Sequence, residues 1–393
     1  MQMNLFHNSK VNFAVLLVTL VVVILFFIQM YGKANREGGY DFSSYLLSSK
    51  ALLNGTNPYH TGSPYTFIYP LYLPVLLIPL ALSPYWLANA VWFLINIGSL
   101  LTALACIVSV GRSSLSYDWL MYKDKAFLPI FIVFLLFLNT IQNNLLNGQV
   151  NFLVICLCSA FCYYYLTQRD VMAALMLASA IAIKLTPLIF LFYLIVERKP
   201  LIILITITFS FAMVLIIPYL FAGNGLIVLY NDYVQTVVLS TFSNSSTENQ
   251  PDLFFTLGGF LKYVAPEVFR GFWPTVLSST IVVAGCMFIH RKYIQRHSSN
   301  RVLPFLVYMV SILMISPMSE THHLAFLLIP CSVLVLFVVN GAILNNSLWR
   351  WGCAGLIVSY TFGMLFKSSP FYFLSILTVF FFFSKTNNAD SST

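Results

Sequence analysis

The chain has 393 residues, 59% of them hydrophobic and 8% charged, with a mean hydropathy of +0.86. Soluble domains carry about 25% charged residues, so the composition excludes a water-soluble globule and predicts an all-α polytopic membrane protein. The formal net charge of +8 comes from Lys and Arg scattered over short loops. They form no basic stripe, which argues against a nucleic-acid partner and for a positive-inside topology signal.

Lys10 precedes an apolar stretch from Val11 to Met30, about 20 residues, which suits a retained first span with a cytoplasmic N-terminus. The first outward loop covers 32–84 and is punctuated by Gly55, Pro58, Gly62, Pro64 and Pro70. Within it lies Gly38 to Tyr45, where Asp41 is the only carboxylate between Glu37 and Asp118. The spacing of Phe42, Tyr45, Leu46, Leu52 and Leu53 predicts a juxtamembrane helix lying on the membrane surface. Leu71 to Leu82 is apolar but only about 12 residues long and holds Pro74 and Pro79, so it reads as a shallow or re-entrant helix.

Trp86 to Val110, Ala126 to Gln142 and Val150 to Leu166 read as spans, the last two separated by Asn147-Gly148-Gln149-Val150-Asn151. Val171 to Ile183 and Leu188 to Val196 are short and flank Lys184-Leu185-Thr186-Pro187; Leu201 to Phe221 crosses again. The second outward loop, 223–271, contains the polar run Asn244 to Asp252. Trp273 to His290 and Val302 to Ser316 flank a basic turn, and Ser316 to His323 faces out. Three more spans follow, roughly 324–340, 351–366 and 370–384. The sum is a single membrane-embedded domain over 1–393, about 12 spans with both termini inside and no internal repeat. This topology places 13 of the 20 Lys and Arg residues inside. A rival that counts Leu71–Leu82 as a span and fuses 171–196 leaves only 9 inside, so the positive-inside rule prefers the first. The seven cysteines lie in or beside apolar runs without a CxxC pair and read as small core hydrophobes.

The ionisable groups off the cytoplasmic side that are candidates for chemistry are Arg36, Glu37 and Asp41; Lys184; Glu320, His322 and His323. A charge deep in a span costs roughly 2.5–3.5 kcal/mol, so Lys184 calls for an anionic partner. Each group also has a plain structural role open to it. Asp41 can cap the following helix, Lys184 can pair or snorkel, and the histidines can simply be solvated. Asn147, Gln149 and Asn151 suit a polar turn that Gly148 permits. One reaction uses the whole set: attack of a hydroxyl on a sugar carried by a lipid phosphate. A single carboxylate suffices as base when the sugar inverts in one displacement, and fixed cations beside the departing phosphate lower the barrier. Asp41 fits the first role, and Lys184 with the histidine pair fits the second.

These residues resemble those of glycosyltransferase family 87 (the DUF2029 group), membrane transferases of the GT-C fold. The matching positions are Asp41-Phe42 with Tyr45; Ala51 to Gly55 and Asn57-Pro58-Tyr59; Phe67, Tyr69 and Pro70; Gly148 to Asn151; Lys184 with Pro187; and Ser316-Pro317, Ser319 and His322-His323. The resemblance runs from about residue 38 to 330. It implies transfer of mannose or arabinofuranose from a polyprenyl-phosphate donor to a lipid or glycan acceptor on the outer face of the membrane. Asp41 is then the base, with His322 or His323 assisting, Lys184 and Arg36 on the donor phosphate, and Tyr45, Asn57, Tyr69, Gln149, Asn151 and Glu320 around the substrates. The chain departs from the family pattern at Leu71, where a second Pro is common, and at Glu320, where Trp is common. No outward carboxylate pair at metal-ligand spacing is visible. A transporter or flippase of a lipid-linked glycan is the rival class; such proteins tend to show internal repeats and midplane ionisable sites, and neither is seen.

Overall fold

The structure, a computed structural model, describes residues 21, 24–36, 40–114, 133–239, 273–296, 301–316, 321–339, 355–363 and 374–378, with a few positions between 256 and 268 and at 372. Among the described residues every regular element is helical. In chain order they are α1 (Asp41–Leu53), α2 (Tyr72–Ala81), α3 (Tyr85–Ser114), α4 (Leu138–Asn147), α5 (Asn151–Leu166) and α6 (Asp170–Ile183). A 3₁₀ turn, Thr186–Leu188, leads into α7 (Ile189–Val196). Then come α8 (Pro200–Leu239), α9 (Trp273–Arg296) and α10 (Val302–Ile315). A second 3₁₀ turn, Thr321–Leu327, opens α11 (Leu328–Val339).

Helix α5 is the spine, packed along both α3 and α6, while α6 in turn lies on α8, and α1 lies on α2. Helix α10 is the innermost element, with Val302 to Met314 all buried. Three helices are long and apolar enough to cross a membrane: α3 over Tyr85–Val110, α8, and α9 over Trp273–Gln295. A fourth crossing is available if α4 and α5, bent by 112° at their junction, count as one broken span. The remaining apolar helices are 10–17 residues long. Twelve crossings are therefore not reached among the described residues. The spans expected at 11–30 and 370–384 and the first part of 126–142 lie largely outside them, and 351–366 does in part.

Prolines explain the short pieces. Pro187 has no N–H and its ring would strike the carbonyl of Ile183, so α6 cannot continue through it. The helix ends at Ile183, and Lys184 turns extended (φ −146°, ψ 130°). The break falls where the sequence places it, and the fused 171–196 helix of the rival topology does not form. At the end of α10, Ser316 is likewise extended (φ −64°, ψ 125°), as a residue preceding proline prefers.

Two expectations for α1 change. The helix does not lie on a surface with one apolar face; Phe42, Tyr45, Leu46 and Leu52 are buried, and so are Ser43, Ser44, Ser48 and Ser49. Only Leu47, Lys50 and Leu53 are exposed on it. Serine is small enough to let α2 and the following loop approach, and two of the hydroxyls are satisfied locally: Ser48 donates to the Pro58 carbonyl at 2.8 Å and Ser49 to that of Tyr45 at 2.9 Å, whereas the buried Ser44 hydroxyl has no hydrogen-bond partner. The second change is at the start. Tyr40 occupies the N-cap position and Asp41 the first helical turn, with no side-chain cap, so the Asp41 carboxylate is left to reach elsewhere.

Candidate active site

The site forms around the α4–α5 bend. Gly148 closes α4 in the left-handed region (φ 62°), which favours glycine. A second constraint acts on the same residue: a Cβ here would stand 2.6 Å from Phe42 Cβ on α1. The Trp92 indole donates to the Gly148 carbonyl at 2.7 Å and stacks on Phe42 with ring centroids 5.4 Å apart. The first turn of α1 is thereby pressed against the bend, which brings Asp41 to Gln149.

Gln149 Nε2 donates to Asp41 Oδ2 at 2.5 Å, and its Oε1 accepts from the Tyr45 phenol at 3.4 Å. Tyr45 is also 3.2 Å from the Tyr69 hydroxyl. Burial first, then the Tyr69 and Asp41 charges, raise the Tyr45 phenol well above its ordinary range, so it stays protonated. The two partners together fix which end of the Gln149 amide faces the carboxylate.

Asn151, two positions further on, opens α5. Its Oδ1 accepts from Lys184 Nζ at 2.9 Å. Its Nδ2 donates to Asn144 Oδ1 at 3.0 Å and approaches the His322 carbonyl at 3.5 Å. Asn144 donates to the same carbonyl at 2.8 Å, and Asn143 donates to the Thr321 hydroxyl at 3.2 Å. The Lys184 ammonium lies 6.0 Å from the centroids of both Tyr69 and Phe326, a distance at which the ring faces still attract a cation.

His322 and His323 are buried in the Thr321–Leu327 turn, outside the three long spans, with ring centroids 4.2 Å apart. Burial, and behind it the Lys184 charge, push the His322 imidazole down to about 3. His323 moves the same way for the same causes, with His322 adding to them. Both rings are therefore neutral at neutral pH, and the positive charge of the site resides on Lys184.

The structure thus brings together Asp41, Tyr45, Tyr69, Gln149, Asn151, Lys184 and the histidine turn. It does not bring Asn57 there. The Asn57 amide donates to Asp232 and its Oδ1 accepts from the Tyr59 amide at 2.9 Å, which ties the first loop to α8. Arg36 is exposed ahead of α1, its carbonyl accepting from the Tyr85 hydroxyl at 3.1 Å. Glu320, with Pro317 and Ser319, lies outside the described residues. Sequence reasoning missed Asn144, whose signal is the dense polar run Asn143 to Asn151 between apolar stretches.

An all-helical membrane protein that gathers a carboxylate, an ammonium and neutral amides in one partly buried site has the makings of a group-transfer enzyme. The model of glycosyltransferase family 87 matches residues 67–317, and the chain belongs to that family. It is therefore a membrane glycosyltransferase. The matched interval holds Gln149, Asn151 and Lys184; Asp41 and the histidines lie just outside it and are joined to it by the contacts above. No curated protein matches the chain.

Proposed function

We propose that the enzyme transfers a sugar, mannose first among the candidates, from a polyprenyl-phosphate donor to a lipid or glycan hydroxyl on the outer face of the membrane, with inversion. The observation that supports this most is the division of labour at one bend: Gln149 holds the carboxylate of Asp41, and Asn151 holds the ammonium of Lys184. A base and an anion-binding cation are thereby fixed on a shared backbone segment.

In the proposed step the acceptor oxygen forms its bond to the anomeric carbon while the bond from that carbon to the phosphate oxygen breaks. The bonding pair leaves with the phosphate, and the acceptor proton passes to Asp41. Lys184 meets the charge that grows on the departing phosphate. The Gln149 amide, which donates to Oδ2, holds the carboxylate in place to receive that proton. The neutral imidazoles of His322 and His323 serve as hydrogen-bonding groups rather than as cations.

Purified protein in detergent, given labelled polyprenyl-phosphate mannose and an acceptor extract, is expected to form a labelled product. The Asp41→Asn variant should lose about 10²–10⁴-fold of that rate, the usual worth of a general base. Transfer undiminished in Asp41→Asn removes the base from its role. A wild-type protein that moves lipid-linked sugar across vesicles and forms no product would be a flippase.

A further inference from the structure

Beside Lys184 the structure contains a small cavity, with room for about one water-sized group. Its polar lining comes from Lys184, Thr186, Ser316 and His323. The Thr186 hydroxyl is buried and has no hydrogen-bond partner. It is one of eight buried side-chain N or O atoms so left among the described residues, and the one of them that lines this cavity; a buried donor left unmade is costly, so the hydroxyl calls for a guest. The remaining wall is apolar, formed by Ile312, Leu313 and Phe326. One fixed cation, one unspent hydroxyl and a hydrocarbon wall describe a group that is anionic at one end and greasy at the other.

We propose that this notch seats one non-bridging oxygen of a prenyl-linked phosphate, with the Thr186 hydroxyl and the Lys184 ammonium as its donors, while the first isoprenoid carbons stay at its mouth beside the apolar wall. The inference rests on the polyprenyl-phosphate donor proposed above and adds the seat itself. Thr186 becomes a binding residue for the donor headgroup. The break at Lys184 that Pro187 enforces turns residues 184–186 out of the helical ladder, and the extended Ser316 ends α10 on the opposite side. The ends of α6 and α10 therefore frame the notch.

The test uses the full-length protein in detergent, titrated with farnesyl phosphate, farnesol or inorganic phosphate and read by native mass spectrometry. Thr186→Val keeps the shape and removes the hydroxyl; Thr186→Ser keeps the hydroxyl. The expected result is about tenfold weaker farnesyl phosphate binding in Thr186→Val, the worth of one hydrogen bond to a charged group. Thr186→Ser should stay near wild type, and farnesol binding should not change. Equal affinity of Thr186→Val and wild type for farnesyl phosphate would overturn the seat and leave the notch to a water molecule. So would an equal loss for farnesol, which points to damage in the apolar wall. Inorganic phosphate bound as tightly as farnesyl phosphate would overturn the lipid part of the proposal. The donor reading fails separately. Farnesyl phosphate binding that depends on Thr186, without transfer from any prenyl-phosphate sugar, supports the seat and removes the donor.

Discussion

At the scale of single residues, the histidine pair shows how much a neighbour decides. Alone in an outward loop, His322 and His323 would titrate near pH 6.5 and could share the cationic role with Lys184. Buried beside that ammonium they are held neutral, His322 down to about 3. The folded-state value lies below the unfolded one, so the group's contribution to stability is complete above about pH 6.5. It is lost as the pH falls toward about 3, because the unfolded chain then binds the proton that the folded chain refuses. Melting temperature in detergent is therefore expected to drop from pH 7 to pH 5, and His322→Gln should flatten that slope; a wild-type curve flat over the interval would contradict it. Gln149 offers a second residue-level expectation. It touches the carboxylate and is itself fixed by Tyr45, so Gln149→Leu should lower kcat roughly 10–100-fold through misplacement of Asp41. The donor KM should move little, since Lys184 keeps its own partner in Asn151. Kinetics in which KM carries the loss instead would assign Gln149 to donor binding.

At the scale of elements, the α4–α5 bend organises the site, and its legibility in the sequence was uneven. Gly148 could be recognised as permitting a turn, and Asn147 to Asn151 as a polar interruption between apolar runs. Nothing in the residues says that the turn is a 112° break, nor that Phe42 lies so close that a Cβ would not fit. Those facts depend on α1, more than 100 residues earlier. The break at Lys184 was fully readable because its cause, Pro187, is local. The serines of α1 misled for the opposite reason. A period-3.6 apolar stripe predicts a helix on a surface, but small hydroxyl residues with local acceptors can be buried just as well. Gly148→Ala is expected to cost roughly 2–4 kcal/mol, from the left-handed backbone and the clash together. Activity should fall with it, because the same shift moves Gln149 away from Asp41. Gly55 also has positive φ (68°) but open space around it, so Gly55→Ala should cost only about 1 kcal/mol and leave transfer intact. Equal melting temperatures for the two variants would refute the close approach of α1.

At the scale of the whole molecule, three helices run from the site to a second polar centre. Helix α5 starts at Asn151 and carries Tyr165 near its far end; α7 follows Thr186 and ends at Glu197; α10 starts after Arg301 and ends at Ser316. At the far end the buried Glu197 carboxylate receives Arg301 and the Tyr165 phenol (2.9 Å), and His290 Nε2 of α9 lies 2.9 Å away. Tyr193 stacks on His290 at 4.7 Å and donates to the Arg301 carbonyl at 3.3 Å. Helices of 14 and 16 residues separate the two centres by about 21–24 Å at 1.5 Å per residue, most of the roughly 30 Å hydrocarbon thickness of a bilayer. Arg198, Lys199, Arg291 and Lys292 adjoin the Glu197 centre in the chain, and on the positive-inside rule we propose that this end faces the cytoplasm and the Asp41 end outward. Glu197 was invisible as a structural centre in the sequence, since one acidic residue beside two basic ones reads as a solvated turn. Removing its charge should be severe: Glu197→Gln takes away the buried carboxylate that Arg301, Tyr165 and His290 share, an effect of about 3 kcal/mol. The orientation itself can be measured with single cysteines. Thr56→Cys lies in the exposed loop after α1 and Thr167→Cys is exposed just past Tyr165. A membrane-impermeant maleimide applied to intact cells is expected to label the first and not the second, and permeabilisation should admit both. The opposite pattern would put Asp41 and Lys184 on the cytoplasmic side, where nucleotide sugars are available, and would remove the main reason for a lipid-carried donor.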